Sequence, residues 1–134
     1  MRYKDSMKYR WILSLLTIVA VAMAQPKPRL TARVSMNSGL RNPQWEITSP
    51  ADLGKVKLFL KDLPEAPETK WPNLGWRGYL LMNEGVEGLP AQVSILRGVV
   101  RWQDQKGIHF YKDVHGLEDW LHEQAIARGL LPKQ

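Results

Sequence analysis

The chain has 134 residues, a formal net charge of +6 and no cysteine. This length is enough for one hydrophobic core of ordinary size but too short for two. Because cysteine is absent, disulfide bonds, thiol catalysis, iron–sulfur clusters and thiolate zinc sites are excluded, so apolar burial and backbone pairing must hold the fold.

Residues 1–24 are typical of a secretory signal peptide. Four basic side chains and a single acid lie in residues 1–10, and residues 11–22 are uncharged and mostly apolar. Ala22 and Ala24 then place small residues at the two positions that a signal peptidase must fit. We expect cleavage after Ala24 and export to the periplasm or the extracellular medium.

The same segment is too short for a stable membrane anchor. A spanning helix needs roughly 20 apolar residues, whereas the uncharged stretch covers only residues 11–24. A lipid anchor of the bacterial lipoprotein type would need a cysteine at the cleavage point, and the chain has none. We therefore expect a mature protein with no stable membrane anchor.

Removing the signal peptide also removes half of the charge excess. Four of the 19 basic residues and one of the 13 acidic residues lie in residues 1–24, which leaves a net charge of +3. The nearest approach to a basic cluster is Lys55, Lys57 and Lys61, which we expect on the solvated face of a helix. No nucleic-acid partner is expected for such a chain.

The mature chain begins with an expected flexible lead-in over residues 25–29, and a single domain follows over residues 30–131. Apolar and polar residues alternate strictly from Leu30 to Met36, which predicts a half-buried strand. Residues 37–45 are rich in turn formers and are expected to form a loop.

A first helix is predicted from Pro50 to about Leu63. Ser49 is a typical N-cap residue, proline is favoured at the first helical position, and Asp52 complements the positive end of the helix. The apolar residues fall on one side at helical spacing, with Leu58 as the exception. A proline-rich loop without periodicity follows over residues 64–75.

Four further short strands are predicted, separated by glycine-bearing turns that favour an antiparallel meander. They cover residues 76–83, 91–97, 99–103 and 108–111. The first of the four is almost continuously apolar, which indicates an interior position in the sheet.

A last helix is predicted over about Val114 to Arg128, with Asp113 as its N-cap and Gly129 as its stop. The fold class is therefore α+β, with an antiparallel sheet of four to five strands packed against two helices in the order β-α-β-β-β-β-α.

Four segments of the mature chain, in order, resemble an uncharacterised family of small bacterial and fungal proteins. Its members carry an SGRPNPxW-type loop, an LGYRGF-type strand and a terminal helix with an LExWL motif. The corresponding segments here are SGLRNPQW (38–45), LGWRGYLL (74–81), RGVVR (97–101) and YKDVHGLEDWL (111–121). The resemblance implies the fold and marks the first loop, and it names no reaction because the family has no established activity.

The loop of residues 38–45 is one candidate binding site. Arg41, Asn42 and Trp45 place a guanidinium, a carboxamide and an indole within five residues. An arginine can hold a carboxylate or phosphate through two hydrogen bonds while a tryptophan offers a flat apolar platform. The alternative is a rigid structural loop in which Asn42 makes a turn and Trp45 fills the edge of the core.

Trp71 and Trp76 flank the proline-rich loop and are candidates for an exposed aromatic surface that stacks on peptide or sugar. The alternative is that they form a lid over the core of a small domain.

The histidines suggest a metal site only weakly. His115 and His122 share a helical face with Asp119, but they lie two turns apart, whereas a zinc-binding histidine pair usually lies one turn apart. This face is also opposite the apolar one, so solvated ion pairs explain it and no metal ligand is assigned.

Acid–base residues for a hydrolase would have to come from His109, Asp113, His115 and Glu118. Turn formation and helix capping account for the aspartates, including Asp104. The chain has no nucleophile elbow, phosphate-binding glycine loop or HExxH helix, so no catalytic residue and no cofactor are assigned.

The sequence thus favours an exported, non-catalytic binding or interaction module of the cell envelope, with an envelope protein or ligand as partner. The candidate binding residues are Arg41, Asn42, Trp45, Trp71 and Trp76. The alternative from another class is an envelope hydrolase with an unrecognised acid–base site.

Overall fold

A computed structural model describes residues 26–35, 42–71 and 78–132. Within these ranges the chain forms six strands and two helices. The strands are β1 (Arg29–Ser35), β2 (Gln44–Ile47), β3 (Gly78–Glu84), β4 (Gln92–Leu96), β5 (Val99–Asp104) and β6 (Gly107–Lys112). The helices are α1 (Pro50–Phe59) and α2 (Leu117–Ala127).

The strands form one sheet in the order β2-β1-β3-β4-β5-β6, and each neighbouring pair is antiparallel. The predicted α+β class, with an antiparallel sheet and two helices, is confirmed. The predicted strand number is wrong, since β2 lies where the sequence indicated a loop. In β2, Trp45 and Ile47 are buried and alternate with exposed residues, as in a half-buried strand. This alternation extends over only four residues and directly follows turn formers, so the sequence did not reveal the strand.

Helix α1 begins as predicted, because the Ser49 hydroxyl accepts a hydrogen bond from the Asp52 N–H at 3.2 Å. It ends at Phe59 rather than at Leu63. Beyond the C-cap residue Leu60, Asp62 has a φ of 53°, which is incompatible with a continuing right-handed helix.

Helix α2 begins three residues later than predicted. Gly116 at φ 87° is the N-cap residue and its left-handed backbone separates Asp113 from the helix. The Asp113 carboxylate nevertheless satisfies the helix start, because it accepts hydrogen bonds from the N–H groups of Leu117 at 2.9 Å and Glu118 at 2.8 Å. Asp113 is therefore a capping residue that acts across a short turn.

The two faces of the sheet have different roles. Both helices pack on one face, here called the helix face, and they share with it one apolar core. The core residues on the strands of this face are Leu30, Ala32, Val34, Trp45, Ile47, Tyr79, Leu81, Val93, Ile95 and Val100. The opposite face, here called the second face, carries the alternate residues of each strand. One cross-strand row on it runs through Gln44, Arg33, Leu80, Ser94, Arg101 and Phe110.

Tyr79 joins the helix face to α2. Its hydroxyl oxygen lies 2.8 Å from Nδ1 of His122. Burial, followed by the negative charge of Glu118, raises the pKa of Tyr79 to about 12. The phenol therefore stays neutral and hydrogen-bonded to the helix at physiological pH.

A carboxylate clamps the β4–β5 turn to the start of α2. Arg97 and Gly98 both have positive φ, at 50° and 76°, as a two-residue hairpin turn of this hand requires. Their N–H groups donate to the two carboxylate oxygens of Glu118, each at 3.0 Å. The Gly98 carbonyl in turn accepts a hydrogen bond from the Asp113 N–H at 2.9 Å. The turn is thus held in its left-handed conformation by the helix.

We expect Glu118→Ala to lower the free energy of unfolding by about 1–2 kcal/mol, because two backbone donors lose a charged acceptor. Chemical denaturation measures this change. Glu123→Ala, at an exposed position of the same helix, is the matched control and should cost only a few tenths of a kcal/mol. Equal losses in the two variants would show that the clamp contributes nothing.

Candidate functional site

The chain between α1 and β3 passes along the edge of the sheet formed by β6. The Lys112 N–H donates to the Pro64 carbonyl at 2.8 Å, and the Ala66 N–H donates to the Phe110 carbonyl at 3.0 Å. Glu65 and Tyr111 form the bridge between these two bonds. Residues 64–66 therefore extend the sheet by one very short strand.

After Ala66 the chain leaves the edge strand and reaches the second face. The ring of Trp71 lies there against the ring of Phe110, with centroids 6.4 Å apart and planes tilted by 41°. The connecting chain thus contacts β6 twice, through residues 64–66 and through Trp71. Residues 67–70, which lie between these contacts, stand away from the edge. The space they enclose is the candidate site.

This space is a cavity of about 560 Å³, here called the β6 cleft. Its volume lies within the roughly 300–1,000 Å³ usual for ligand sites. Its outer wall consists of Glu65, Ala66, Glu68, Thr69, Lys70 and Trp71, and its floor of Arg101, Ile108, His109, Phe110 and Tyr111.

Arg101 supplies the positive charge of the floor. It lies beside Phe110 in the cross-strand row of the second face and is partly buried. Within the described ranges no carboxylate forms an ion pair with it, whereas Arg29 contacts both Glu46 and Glu84 at 2.9 Å. An unpaired guanidinium next to two aromatic rings is suited to bind a carboxylate or phosphate group.

The helix-face side of the cleft is organised by Asp104. Its carboxylate accepts hydrogen bonds from the Lys106 N–H at 2.8 Å and from the Trp102 indole N–H at 3.0 Å. His109, which lines the cleft, has Nε2 at 3.7 Å from the same carboxylate. The pKa of Asp104 is lowered mainly by the hydrogen bond from the Lys106 N–H. The hydrogen bond from the Trp102 indole and the charge of His109 lower it to a smaller extent.

The predicted binding residues that the structure describes lie at two opposite edges of the sheet. Trp71 lies in the β6 cleft, whereas Trp45 lies on β2 at the opposite edge of the sheet. Trp45 is only 7% exposed and packs in the core, and its indole N–H has no hydrogen-bond partner in the part of the chain that the structure describes. Asn42 lies two residues before the start of β2 and so belongs to that far edge as well. Arg41 and Trp76 lie outside the described residues.

The candidate acid–base residues are engaged in separate contacts. His115 Nε2 lies 2.9 Å from the Lys61 carbonyl oxygen, and the carboxylates of Asp113 and Glu118 accept backbone N–H groups. His109 is at the β6 cleft. Among the described residues, no group of three or more histidine and acidic side chains is arranged to hold a metal ion.

Sequence reasoning missed Arg101, Ile108 and Phe110 as site residues. All three lie on predicted strands, but only the pairing of Arg101 with Phe110 shows that the two strands present them on one face. Only the strand order reveals that β6 is an edge and that Trp71 returns to it.

Within the described ranges, neither helix is long and apolar enough to cross a membrane. No protein-family model, no curated protein and no solved structure matches the chain.

We expect the Asp104 carboxyl to titrate below its ordinary pKa of about 3.9, as followed by side-chain carbon NMR. Because the folded pKa lies below the unfolded one, the stabilisation by this carboxylate is complete above the unfolded value and is lost as the pH falls through the folded value. Trp102→Phe removes one donor and should shift the pKa back towards its ordinary value. An unchanged titration in this variant would exclude a role of the indole.

Proposed function

We propose that this chain is an exported binding module of the cell envelope, and that the β6 cleft holds its ligand without catalysis. The observation that carries the proposal is the combination of Trp71, Phe110 and Arg101 around one open cavity, where Arg101 has no carboxylate partner among the residues that the structure describes. Aromatic rings provide contact area at little entropic cost, and a guanidinium provides orientation. A cleft of this composition binds a ligand without needing a reacting group.

A non-catalytic role agrees with the positions of the acid–base candidates. Asp113 and Glu118 hold backbone N–H groups of the helix start and of the β4–β5 turn, and His115 contacts the end of α1. A catalytic pair must lie within hydrogen-bond reach of one reacting atom. His109 is the one of these four candidates that lines the cleft, and its nearest acid, Asp104, is occupied by two other donors.

Location is part of the proposal and follows from residues 1–24. A positive segment, an apolar segment and small residues at the cleavage positions direct a chain to export and then leave it soluble. We also propose that the chain belongs with the small bacterial and fungal proteins that share the SGRPNPxW-type loop.

We expect the protein in the exported fraction to begin at Gln25, which its intact mass reports. Ala24→Trp should block cleavage because the peptidase position admits only a small side chain, and the precursor should accumulate. Met23→Trp is the matched control, since the intervening position carries no such requirement. A full-length chain that remains in the cytoplasm would contradict the proposed location.

Site-specific photo-crosslinking in intact cells tests the cleft itself. We expect a benzoylphenylalanine at Ile108, which lies in the cleft and is 46% exposed, to form a defined crosslinked product. The same group at Leu58, which is 67% exposed on α1, should form none. Equal products at both positions, or none at either, would overturn the proposed function.

The two arginines of the cross-strand row on the second face provide a further control. Arg101→Ala should reduce the Ile108 product about tenfold, because the ligand loses its charged contact. Arg33→Ala removes an arginine from the same cross-strand row but far from the cleft, and should leave the product unchanged.

A further inference from the structure

We propose that the ligand of the β6 cleft is a short extended peptide that adds a strand to β6 and places one carboxylate near Arg101. This inference rests on the proposed function of the cleft. It depends on four features of the edge strand: the direction of its backbone groups, the point where its pairing stops, the side chains on each face and the charge of the floor.

The backbone groups of alternate β6 residues point away from the sheet. Lys112 donates outward to Pro64, and Phe110 accepts from Ala66 on the same side. Since this direction alternates along a strand, Ile108 also presents its backbone outward, whereas His109 and Tyr111 pair with β5.

The outward pairing of β6 stops within the cleft. Among the described residues, no backbone group pairs with the Phe110 N–H or with the outward N–H and carbonyl of Ile108. Unpaired groups on an edge strand are a template for another strand, and proteins usually cover or disrupt such edges. Here the covering chain leaves the edge at Ala66 and leaves room beside these three groups.

The available edge fits a short segment rather than a second copy of this chain. Residues 64–66 already occupy the edge at Phe110 and Lys112. A full six-residue β6 strand from another copy would have to displace them. A peptide that lies opposite Ile108, extends towards Gly107 and reaches only the N–H of Phe110 needs no such displacement.

The side chains of an added strand would meet two different surfaces. Residues on its second-face side would contact Ile108, Phe110 and Trp71, which favours apolar or β-branched side chains. Residues on its other side would face His109 and Tyr111, whose rings lie 6.5 Å apart, and small polar side chains suit that surface. The two patterns alternate as a strand requires.

The charge of the cleft favours a single carboxylate in the ligand. Arg101 lies on the floor without an ion-pair partner among the described residues, whereas the exposed charges of the outer wall are Glu65, Glu68 and Lys70, two acids and one base. A carboxylate on the second-face side can meet the guanidinium. A strongly acidic peptide would instead meet the net negative charge of the wall, so one acidic position among uncharged residues is expected.

The probe for this inference is the terminally blocked peptide TVTETVT, which places valine, glutamate and valine on one face of a strand. Amide hydrogen exchange of the isotope-labelled protein is measured with and without it. We expect at least tenfold slower exchange of the Phe110 and Ile108 amides. The His109 and Tyr111 amides, which already pair with β5, should not change and serve as internal controls.

Two altered peptides and two protein variants separate backbone pairing from side-chain binding. The peptide TVTQTVT should bind the natural protein about tenfold more weakly than TVTETVT does. The Arg101→Ala variant should bind the two peptides equally well, whereas the Arg33→Ala variant should keep the preference for glutamate. TVTETVT with N-methylated backbone amides should fail to protect Phe110 and Ile108. Protection that survives N-methylation would overturn strand addition.

Other outcomes overturn the inference in distinguishable ways. Shifts of the Trp71 indole without amide protection, whether caused by TVTETVT or by a tetrasaccharide of N-acetylglucosamine, would leave the cleft as a binding site and reject the added strand. Protection that appears without peptide and grows with protein concentration would assign the edge to a second copy. Absence of every effect, together with no crosslinking at Ile108, would reject the proposed function as well.

Discussion

The pairing of β1 with β3 is the contact on which the rest of the sheet depends. It joins seven residue pairs, from Arg29 with Glu84 to Ser35 with Gly78, across a long intervening chain. Closing that loop costs conformational entropy, and the buried layer of Leu30, Ala32 and Leu81 offsets it. Because the chain has no cysteine for a disulfide bond, this apolar layer and the backbone hydrogen bonds between β1 and β3 must hold the two strands together.

That pairing also decides where the edges of the sheet lie. With β1 and β3 both inside the sheet, β2 is left at one edge and the meander ends at β6 on the other. The β2 edge is four residues long and has Glu46 in an ion pair with Arg29, features that discourage further pairing. The β6 edge is longer, and among the described residues the backbone pairing that covers it is confined to its last residues.

The cleft is a consequence of the same topology. Helix α1 packs on the helix face, whereas the chain reaches the second face before it enters β3, as the position of Trp71 shows. The connection therefore has to pass around an edge of the sheet. It passes β6, pairs with it over three residues and departs, and the departure opens the cavity.

Much of the local structure could be predicted from the sequence, because its causes are local. Alternation marked β1, the Ser49–Pro50 pair marked the start of α1, and Gly129 marked the end of α2, where the Leu130 N–H donates to the Ala125 carbonyl at 2.9 Å. The site could be predicted only in part. Trp71 was recognisable as an aromatic on a loop, but its partners are residues that only the strand order brings near.

The contrast between Trp45 and Trp71 shows why the remainder could not be predicted. Both indoles follow turn-forming residues, and nothing near them in the chain distinguishes a core position from a cleft position. The difference is that Trp45 enters a strand whose inner face meets the core, while Trp71 stays outside the ladder. Such a difference depends on pairing with β1 and β6, which no local pattern encodes.

The three arginines of the second face show why the β6 edge, and not the rest of this face, is suited to a ligand. Arg29 has two carboxylates within 2.9 Å, and Arg33 donates to the side-chain oxygen of Gln44 at 3.3 Å. Arg101 is partly buried beside the ring of Phe110 without a carboxylate among the described residues. Removing a guanidinium from water without a partner costs free energy, which a ligand carboxylate would recover on binding. This cost falls beside the β6 cleft, where the outward backbone groups of Ile108 also lie.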